Sequence, residues 1–173
     1  MLLNYIIYIA LCILLQFLVE VKSQKPTFKP DLRYAHTATF INDKIYILGG
    51  AIPPGVVKSP KETFMYLDVS ASFNTNELKW IDLSNNNIVP PHAYFAAVKG
   101  GANNDTLFLY GGDGLNGQKI DLVYTFNTQS NAWSVPEITG IPPSGNSGVT
   151  FIIDNGLIYI FGGVVIDPTV AYQ

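Results

Sequence analysis

Three short runs along the chain share one hydrophobic pattern. Lys44-Ile45-Tyr46-Ile47-Leu48, Thr106-Leu107-Phe108-Leu109-Tyr110 and Leu157-Ile158-Tyr159-Ile160-Phe161 are rich in leucine, β-branched and aromatic residues. Each stops at a glycine pair, Gly49-Gly50, Gly111-Gly112 or Gly162-Gly163. Runs that do not alternate with polar residues predict strands buried on both faces. The paired glycines end the strand and let the backbone take positive φ or approach a neighbour closely. Each run follows another strand-like stretch and a turn: Arg33–Ile41 with Asn42-Asp43, Ala93–Lys99 with Gly100–Asp105, and Val149–Ile153 with Asn155-Gly156. Asn-Asp and Asn-Gly between apolar runs are hairpin signals.

Two of the glycine pairs lead through a loop to a third strand, Thr63–Val69 or Asp121–Asn127. A fourth strand carrying a tryptophan follows, Lys79–Leu83 with Trp80 or Ala132–Val135 with Trp133. Pro90-Pro91 and Pro142-Pro143 mark the passage from one set to the next. The units recur at intervals of roughly 50 to 60 residues, the signature of a propeller blade when each holds four strands. The predicted fold class is therefore all-β: a partial β-propeller of two four-stranded blades and half of a third.

The first residues are of another kind. Leu2–Val19 is almost wholly apolar, and Val21-Lys22-Ser23 offers a signal peptidase small or β-branched residues. The expected organisation is a signal peptide over residues 1–23, an extended lead-in over 24–32 and a partial propeller over 33–173. The apolar run also approaches the length of a membrane span, so an uncleaved signal anchor is the alternative and the one route to a membrane. Either way the rest enters the secretory pathway. The single cysteine, Cys12, lies inside this segment, so the exported part has neither a disulfide framework nor thiol chemistry. Charged residues are 13% of the chain and the net charge is −3, which leaves no basic patch for a nucleic acid backbone.

The residues resemble the kelch repeat, the propeller class that includes the attractin and muskelin propellers and the galactose oxidase core. Arg33-Tyr34-Ala35-His36-Thr37 with Ile45-Tyr46-Ile47 and Gly49-Gly50 looks like the opening of a kelch blade. Asp121–Asn127 with Asn131-Ala132-Trp133 looks like its second half. The Arg-x-x-His element is whole only in the first unit. His92 and Phe95 stand at its positions in the second, and Ser144 and Ser147 are assigned to them in the third. The resemblance implies that Arg33, His36, Gly49, Gly50, Trp80, Gly111, Gly112, Trp133, Gly162 and Gly163 are structural elements of the blades. It also implies a ring of more blades than this sequence holds, so the sequence is expected to be a fragment or truncated reading of a longer protein.

Catalytic chemistry is hard to build from these residues. His36 and His92 are the only histidines, fall at different repeat positions and lack a third ligand, so no metal is expected. His36 is assigned a hydrogen bond at the start of its blade, and Trp80 and Trp133 are assigned as wedges between blades. Asp113, Asp121, Asp154 and Asp167 sit at strand ends and turns, where Asp fixes backbone. Gly111-Gly112-Asp113-Gly114 lacks the lysine and helix of a phosphate loop. A copper radical oxidase of the galactose oxidase type needs a cysteine crosslinked to tyrosine, which the exported part does not contain.

The expected function is therefore non-catalytic, with no cofactor: a secreted or surface-displayed module that binds an unknown protein or glycan. A carbohydrate-binding or galactose-oxidase-like propeller is the alternative. Strand parity puts the loops after the glycine pairs and the inter-blade connections on one face, which makes Lys58, Asp113, Asn116 and Lys119 the candidate binding residues. Asn104-Asp105-Thr106 is the glycosylation triplet, and its turn falls on the opposite face. If the apolar segment is a cleaved signal, N-terminal sequencing of protein from culture medium will begin at Gln24. A membrane-retained product that starts at Met1 would show an anchor instead.

Overall fold

The computed structural model describes residues 2–21, 28–52, 63–114, 120–141 and 147–164. Helix α1 spans Leu2–Val21, and its described side chains, Asn4–Leu14, are all exposed. Among the described residues no helix is long and apolar enough to cross a membrane.

The first blade is a four-stranded antiparallel meander of β1 (Thr37–Ile41), β2 (Lys44–Leu48), β3 (Phe64–Asp68) and β4 (Trp80–Asp82), in that spatial order. Asn42 and Asp43 both take positive φ, 48° and 57°, the condition for a two-residue hairpin whose twist matches its strands. Ile41 accordingly pairs with Lys44 directly across the turn. The second unit opens with β5 (His92–Ala93), continues through β6 (Ala96–Gly100) and β7 (Thr106–Tyr110), and then forms β8 (Asp113–Gly114), β9 (Val123–Asn127) and β10 (Ala132–Ser134). Strands β6, β7, β9 and β10 make the second four-stranded blade, and β5 pairs with β8 beside it. The third unit is the hairpin of β11 (Ser147–Asp154) and β12 (Leu157–Val164).

The inner strands are shorter than their apolar runs suggest. Arg33–Ile41 is interrupted at Ala35 and Ala93–Lys99 at Tyr94, where φ is 55° and 60°. The left-handed residue interrupts the ladder there, so Thr37–Ile41 and Ala96–Gly100 are the inner strands of the four-stranded sheets.

The core lies in the seams between blades. Between the first and second, Ile41, Tyr46, Leu48 and Phe64 meet Phe95, Leu107, Leu109, Tyr124 and Phe126, with Trp133 packed against the cluster. Phe64 meets Phe126 edge to face at 4.9 Å and Trp133 at 5.1 Å. Burying each such side chain stabilises the fold by about 1.5–3 kcal/mol. Between the second and third units, Ala96 and Tyr110 pack on Val149 and Phe151, flanked by Phe108, Ile153 and Ile160.

The expectation that the three glycine-stopped strands are buried on both faces needs correction. Strands β2 and β7 mix buried with half-buried positions, and β12 is exposed along nearly its whole length. The cause is the one-sided stacking of blades. Tyr46 and Leu48 are 2% and 1% exposed because the second blade lies on them. Their counterparts Tyr159 and Phe161 are 42% and 58% exposed, since no described element lies on that face.

This bare face makes a solution prediction. Purified residues 24–173 should bind a hydrophobic dye and sediment as a self-associating species, because an uncovered apolar sheet face with an unpaired edge favours association. A monodisperse monomer that melts cooperatively and binds no dye would overturn this expectation.

Candidate functional site

The starts of the inner strands converge around the axis of the stacked blades. Tyr34 exchanges main-chain hydrogen bonds with Ala51, 2.9 and 2.8 Å, and the next unit repeats the pairing as Ala93 with Asp113. Tyr34, Ala93 and Ser147 are thus equivalent, each followed by a left-handed residue: Ala35, Tyr94 or Gly148. The left-handed residues are bonded in series. The Tyr94 N–H donates to the Ala35 carbonyl (3.0 Å), and the Gly148 N–H donates to the Tyr94 carbonyl (3.1 Å).

This register corrects the assignment made from sequence for the third unit. Ser147 stands at the place of Tyr34, and Val149 stands at the place of His36. Ser144 lies outside the described residues. The left-handed backbone, invisible in the residue types, sets the alignment.

The glycine pair and the strand starts fit against each other. A side chain at Gly49 would overlap the ring of His92 in the next unit, and one at Gly50 would come within 2.8 Å of the Tyr34 carbonyl oxygen. Gly112 repeats the second relation: an added Cβ would lie 2.6 Å from the Phe95 ring. The Gly50 N–H donates to the His92 carbonyl at 3.0 Å, which closes the seam from the other side. The Arg33 guanidinium reaches the Gly49 carbonyl at 3.3 Å and, through Nε, the Asp31 carbonyl at 3.4 Å.

His92 and His36 differ sharply. His92 is buried, its Nδ1–H donates to the Pro90 carbonyl at 2.7 Å, and its ring meets Phe95 edge to face at 4.3 Å. The Nδ1 bond makes Nε2 the unprotonated nitrogen, and among the described residues no hydrogen-bond partner reaches it. Burial pushes the His92 pKa down to about 4, only partly opposed by the Pro90 carbonyl. His36 is exposed, and the hydrogen bond assigned to its side chain is not among those described. Partial burial and then the Arg33 charge lower its pKa. Its place beside Gly50 is one of contact, with only 2.9 Å from its Cβ to a Cβ built on that glycine.

Other sequence candidates are scattered. Asp113 sits at this axial face, where its Oδ2 accepts the Ser147 hydroxyl at 2.9 Å and ties the second unit to the third. Lys58, Asn116 and Lys119 lie outside the described residues, although the ends of their segments, Ile52 and Thr63, Gly114 and Ile120, are described. Asn104 is exposed in the β6–β7 turn with φ of 53°, at the opposite end of the strands. Trp133 fills the first seam as a wedge. Trp80 takes the matching position on the first blade, on the face turned away from the second, and is half-buried. Among the described residues no group of three His, Cys, Asp or Glu side chains is placed to hold a metal ion.

A family profile described as the KLHDC2/KLHL20/DRC7 Kelch-repeats domain matches residues 35–171. The chain belongs to the kelch-repeat family. Among curated kelch proteins, Kelch domain-containing protein 3 of Rattus norvegicus is 28% identical over 145 residues, covering 76% of this chain and 35% of that protein. Kelch repeat-containing protein 2 of Saccharomyces cerevisiae is 29% identical over 148 residues, covering 79% of this chain and 16% of that one. The Rab9 effector protein with kelch motifs of Rattus norvegicus is 26% identical over 147 residues, covering 80% of this chain and 36% of its own length. The solved structure of YjhT superposes with a TM-score of 0.50 at 22% identity, over 78% of this chain and 35% of that chain, a likeness of fold. The chain therefore spans about a third of the first curated kelch relatives it matches. It is a partial kelch propeller of two blades and the inner half of a third.

Sequence reasoning set His92 opposite Arg33 but did not foresee its burial behind Gly49, although the preceding Pro90-Pro91 hints at a constrained passage, and it passed over Tyr94. Nothing in residue type announces a left-handed tyrosine.

The buried ring of His92 carries a pH prediction. Its pKa is about 4 folded and about 6.5 unfolded, so between these values the unfolded chain binds the proton and the kelch fold does not. Its contribution is complete above about pH 6.5 and declines as pH falls toward 4, where the loss reaches about 3 kcal/mol. Thermal midpoints of the intact protein measured across this range should fall accordingly. His92→Leu should flatten the decline; an unchanged slope would assign it elsewhere.

Proposed function

We propose that this kelch chain is a non-catalytic binding module that engages a protein partner through its axial loop face. The carrying observation is the meeting, on one face, of the strand starts, the glycine pairs and the ends of the long connections. The strand starts there are locked by main-chain bonds from unit to unit. Loops held by a rigid scaffold are where binding residues concentrate. Kelch relatives include a protein named as a Rab9 effector, which supports a protein partner over a small substrate. Axial histidines offer little to catalysis: His92 is sealed behind Gly49, and burial and the Arg33 charge both lower the pKa of His36.

Export is part of this reading. The apolar α1 would act as the signal segment and deliver the blades to the secretory pathway, and Asn104 would carry a glycan. The Asn104 turn lies at the far end of the strands from the loop face, so a glycan there would leave the face open. Galactose-oxidase-like chemistry is disfavoured by the residues themselves, because Cys12, the only cysteine, lies in α1, away from the blades.

The test uses the intact protein and a partner recovered by crosslinking at the surface of expressing cells. Alanine at Lys58, Asn116 or Lys119 should weaken its binding several-fold, while Asn104→Gln should leave affinity unchanged. Asp113→Asn separates binding from the Ser147 tie, since the amide can still accept that hydrogen bond. Binding lost on removing the Asn104 glycan, with the loop variants silent, would put the site on the wrong face. Hydrogen peroxide release on galactose in the presence of copper would replace this reading with the enzymatic one.

A further inference from the structure

The first blade carries a segment that the second does without. Eleven residues, 69–79, join β3 to β4, whereas four, 128–131, join β9 to β10. Four residues suffice to turn this outer hairpin, so folding does not explain the longer connection. Such segments on a rigid scaffold are where binding residues collect. The connection has its own hydrogen bonds. The Val69 N–H donates to the Asp43 carbonyl at 2.8 Å, which ties its start to the β1–β2 turn. The Ser70 N–H donates to the Asp68 carboxylate at 2.9 Å, the Asn76 N–H to Asn74 Oδ1 at 3.0 Å, and the Glu77 N–H to the Asn74 carbonyl at 2.9 Å.

Together with the outer strands, this connection encloses a solvent-open cavity of about 440 Å³. That size lies within the range of small-ligand pockets, about 300–1,000 Å³. Tyr66, Phe73 and Ile81 form its apolar wall, and Asp68, Asn74, Glu77 and Lys79 form a polar rim. Tyr66 and Ile81 are cross-strand partners on the sheet face that turns Tyr46 and Phe64 toward the second blade. That face already has its neighbouring blade, and the cavity stays open beside it, so it is not a seam that a further blade would fill. Phe73 is 51% exposed, and among the described residues no aromatic pair or apolar cluster includes it.

Charge and polarity decide what fits. The Lys44 ammonium lies over the Tyr66 ring, 4.7 Å from its centroid, so that ring already serves one cation. Hydrogen bonds from Ser70, and then the Lys44 and Lys79 charges, hold the Asp68 carboxyl below its usual pKa. With Glu77, two carboxylates and two ammonium groups stand at the site, and an ion of either sign meets no net charge to pair with. What remains is aromatic surface beside free polar groups. Among the described residues the Asn74 amide NH₂ and the Glu77 and Lys79 side chains have no hydrogen-bond partner. A sugar ring matches this surface, with C–H groups on its faces and hydroxyls around its edge. We propose that this cavity binds an uncharged pyranose, the terminal hexose of a neutral glycan, with a C–H face on Phe73 and hydroxyls on Asn74, Glu77 and Lys79. The site lies at the end of the strands opposite the axial loop face and does not rest on the partner reading above.

The test applies the intact full-length protein to a glycan array and measures the retained glycans against variants. Neutral glycans that end in a hexose should be retained and sialylated or sulfated ones should not, and a methyl hexoside in solution should compete. Phe73→Ala should weaken binding roughly tenfold at an unchanged thermal midpoint, and Phe73→Tyr, which keeps the ring, should bind as the unaltered protein does. Asn74→Asp keeps the Oδ1 acceptor that shapes the connection and removes the amide donors; it should weaken binding several-fold. Alanine at Lys58, Asn116 or Lys119 should change nothing here, which separates this site from the axial one. No glycan retained, a preference for charged glycans, failure of the free sugar to compete, or glycans indifferent to Phe73→Ala would each overturn this inference and leave the axial-face reading intact. A thermal midpoint lowered by several degrees in Phe73→Ala would make the ring structural and overturn it too. A protein partner that is lost with Phe73→Ala, and that still binds the unaltered protein once stripped of its own glycans, would make the connection a protein contact and overturn the sugar site as well.

Discussion

Everything in this structure depends on aromatic packing across the seam between blades. A four-stranded sheet of three- and five-residue strands has too little apolar surface to hold itself together, and it becomes stable when another sheet covers one face. Tyr46, Phe64, Phe126 and Trp133 supply that cover between the first two blades, with ring centroids of neighbouring pairs 4.9–6.1 Å apart. Their contacts join residues far apart in sequence, and the seam recurs at equivalent repeat positions, Tyr46, Leu48 and Phe64 in the first blade and Phe108, Tyr110 and Val123 in the second. The period of the chain is therefore the period of its core, and each unit both covers its predecessor and needs a successor.

Main-chain bonding at the axis is the second level of order, and it positions the candidate site. The seams hold sheets at a set spacing, and that spacing brings the start of each inner strand within hydrogen-bond reach of the one before. Glycine at positions 49, 50 and 112 is what permits the approach, because a Cβ at any of them would strike a ring or a carbonyl of this layer. Burial of His92 follows from the same closeness. Its imidazole fills the room left by the missing side chain of Gly49, and this excludes water from Nε2.

Much of this was legible in the amino-acid sequence. The glycine-stopped runs, the Asn42-Asp43 and Asn155-Gly156 turns and the regularly placed tryptophans carried the fold class, the blade boundaries and the family. They are local signals, set by backbone conformation and by periodic burial. The expected burial of β12 failed because burial is a property of neighbours: Leu157–Phe161 reads like Lys44–Leu48, yet among the described residues only the latter has a blade on its face. The site was less legible. The break at Tyr94 arises from a hydrogen bond to Ala35 in another unit, a long-range cause that no residue-level preference encodes. The misplacement of the third unit by way of Ser144 and Ser147 has the same origin, since only the left-handed residue fixes the alignment.

The serial bonding at the axis also has a direction. At each step the later unit donates its N–H and the earlier unit offers its carbonyl, so the series has a donor sense like that of a helix, though its members lie a whole blade apart. A unit turned end for end would present an acceptor to an acceptor. Growth of such an array by duplication of a whole unit preserves the sense and adds one link. Loss of part of a unit removes a donor together with the acceptor that follows it. Continuing the series therefore requires each unit to keep the same phase, with its left-handed residue one blade on from the last.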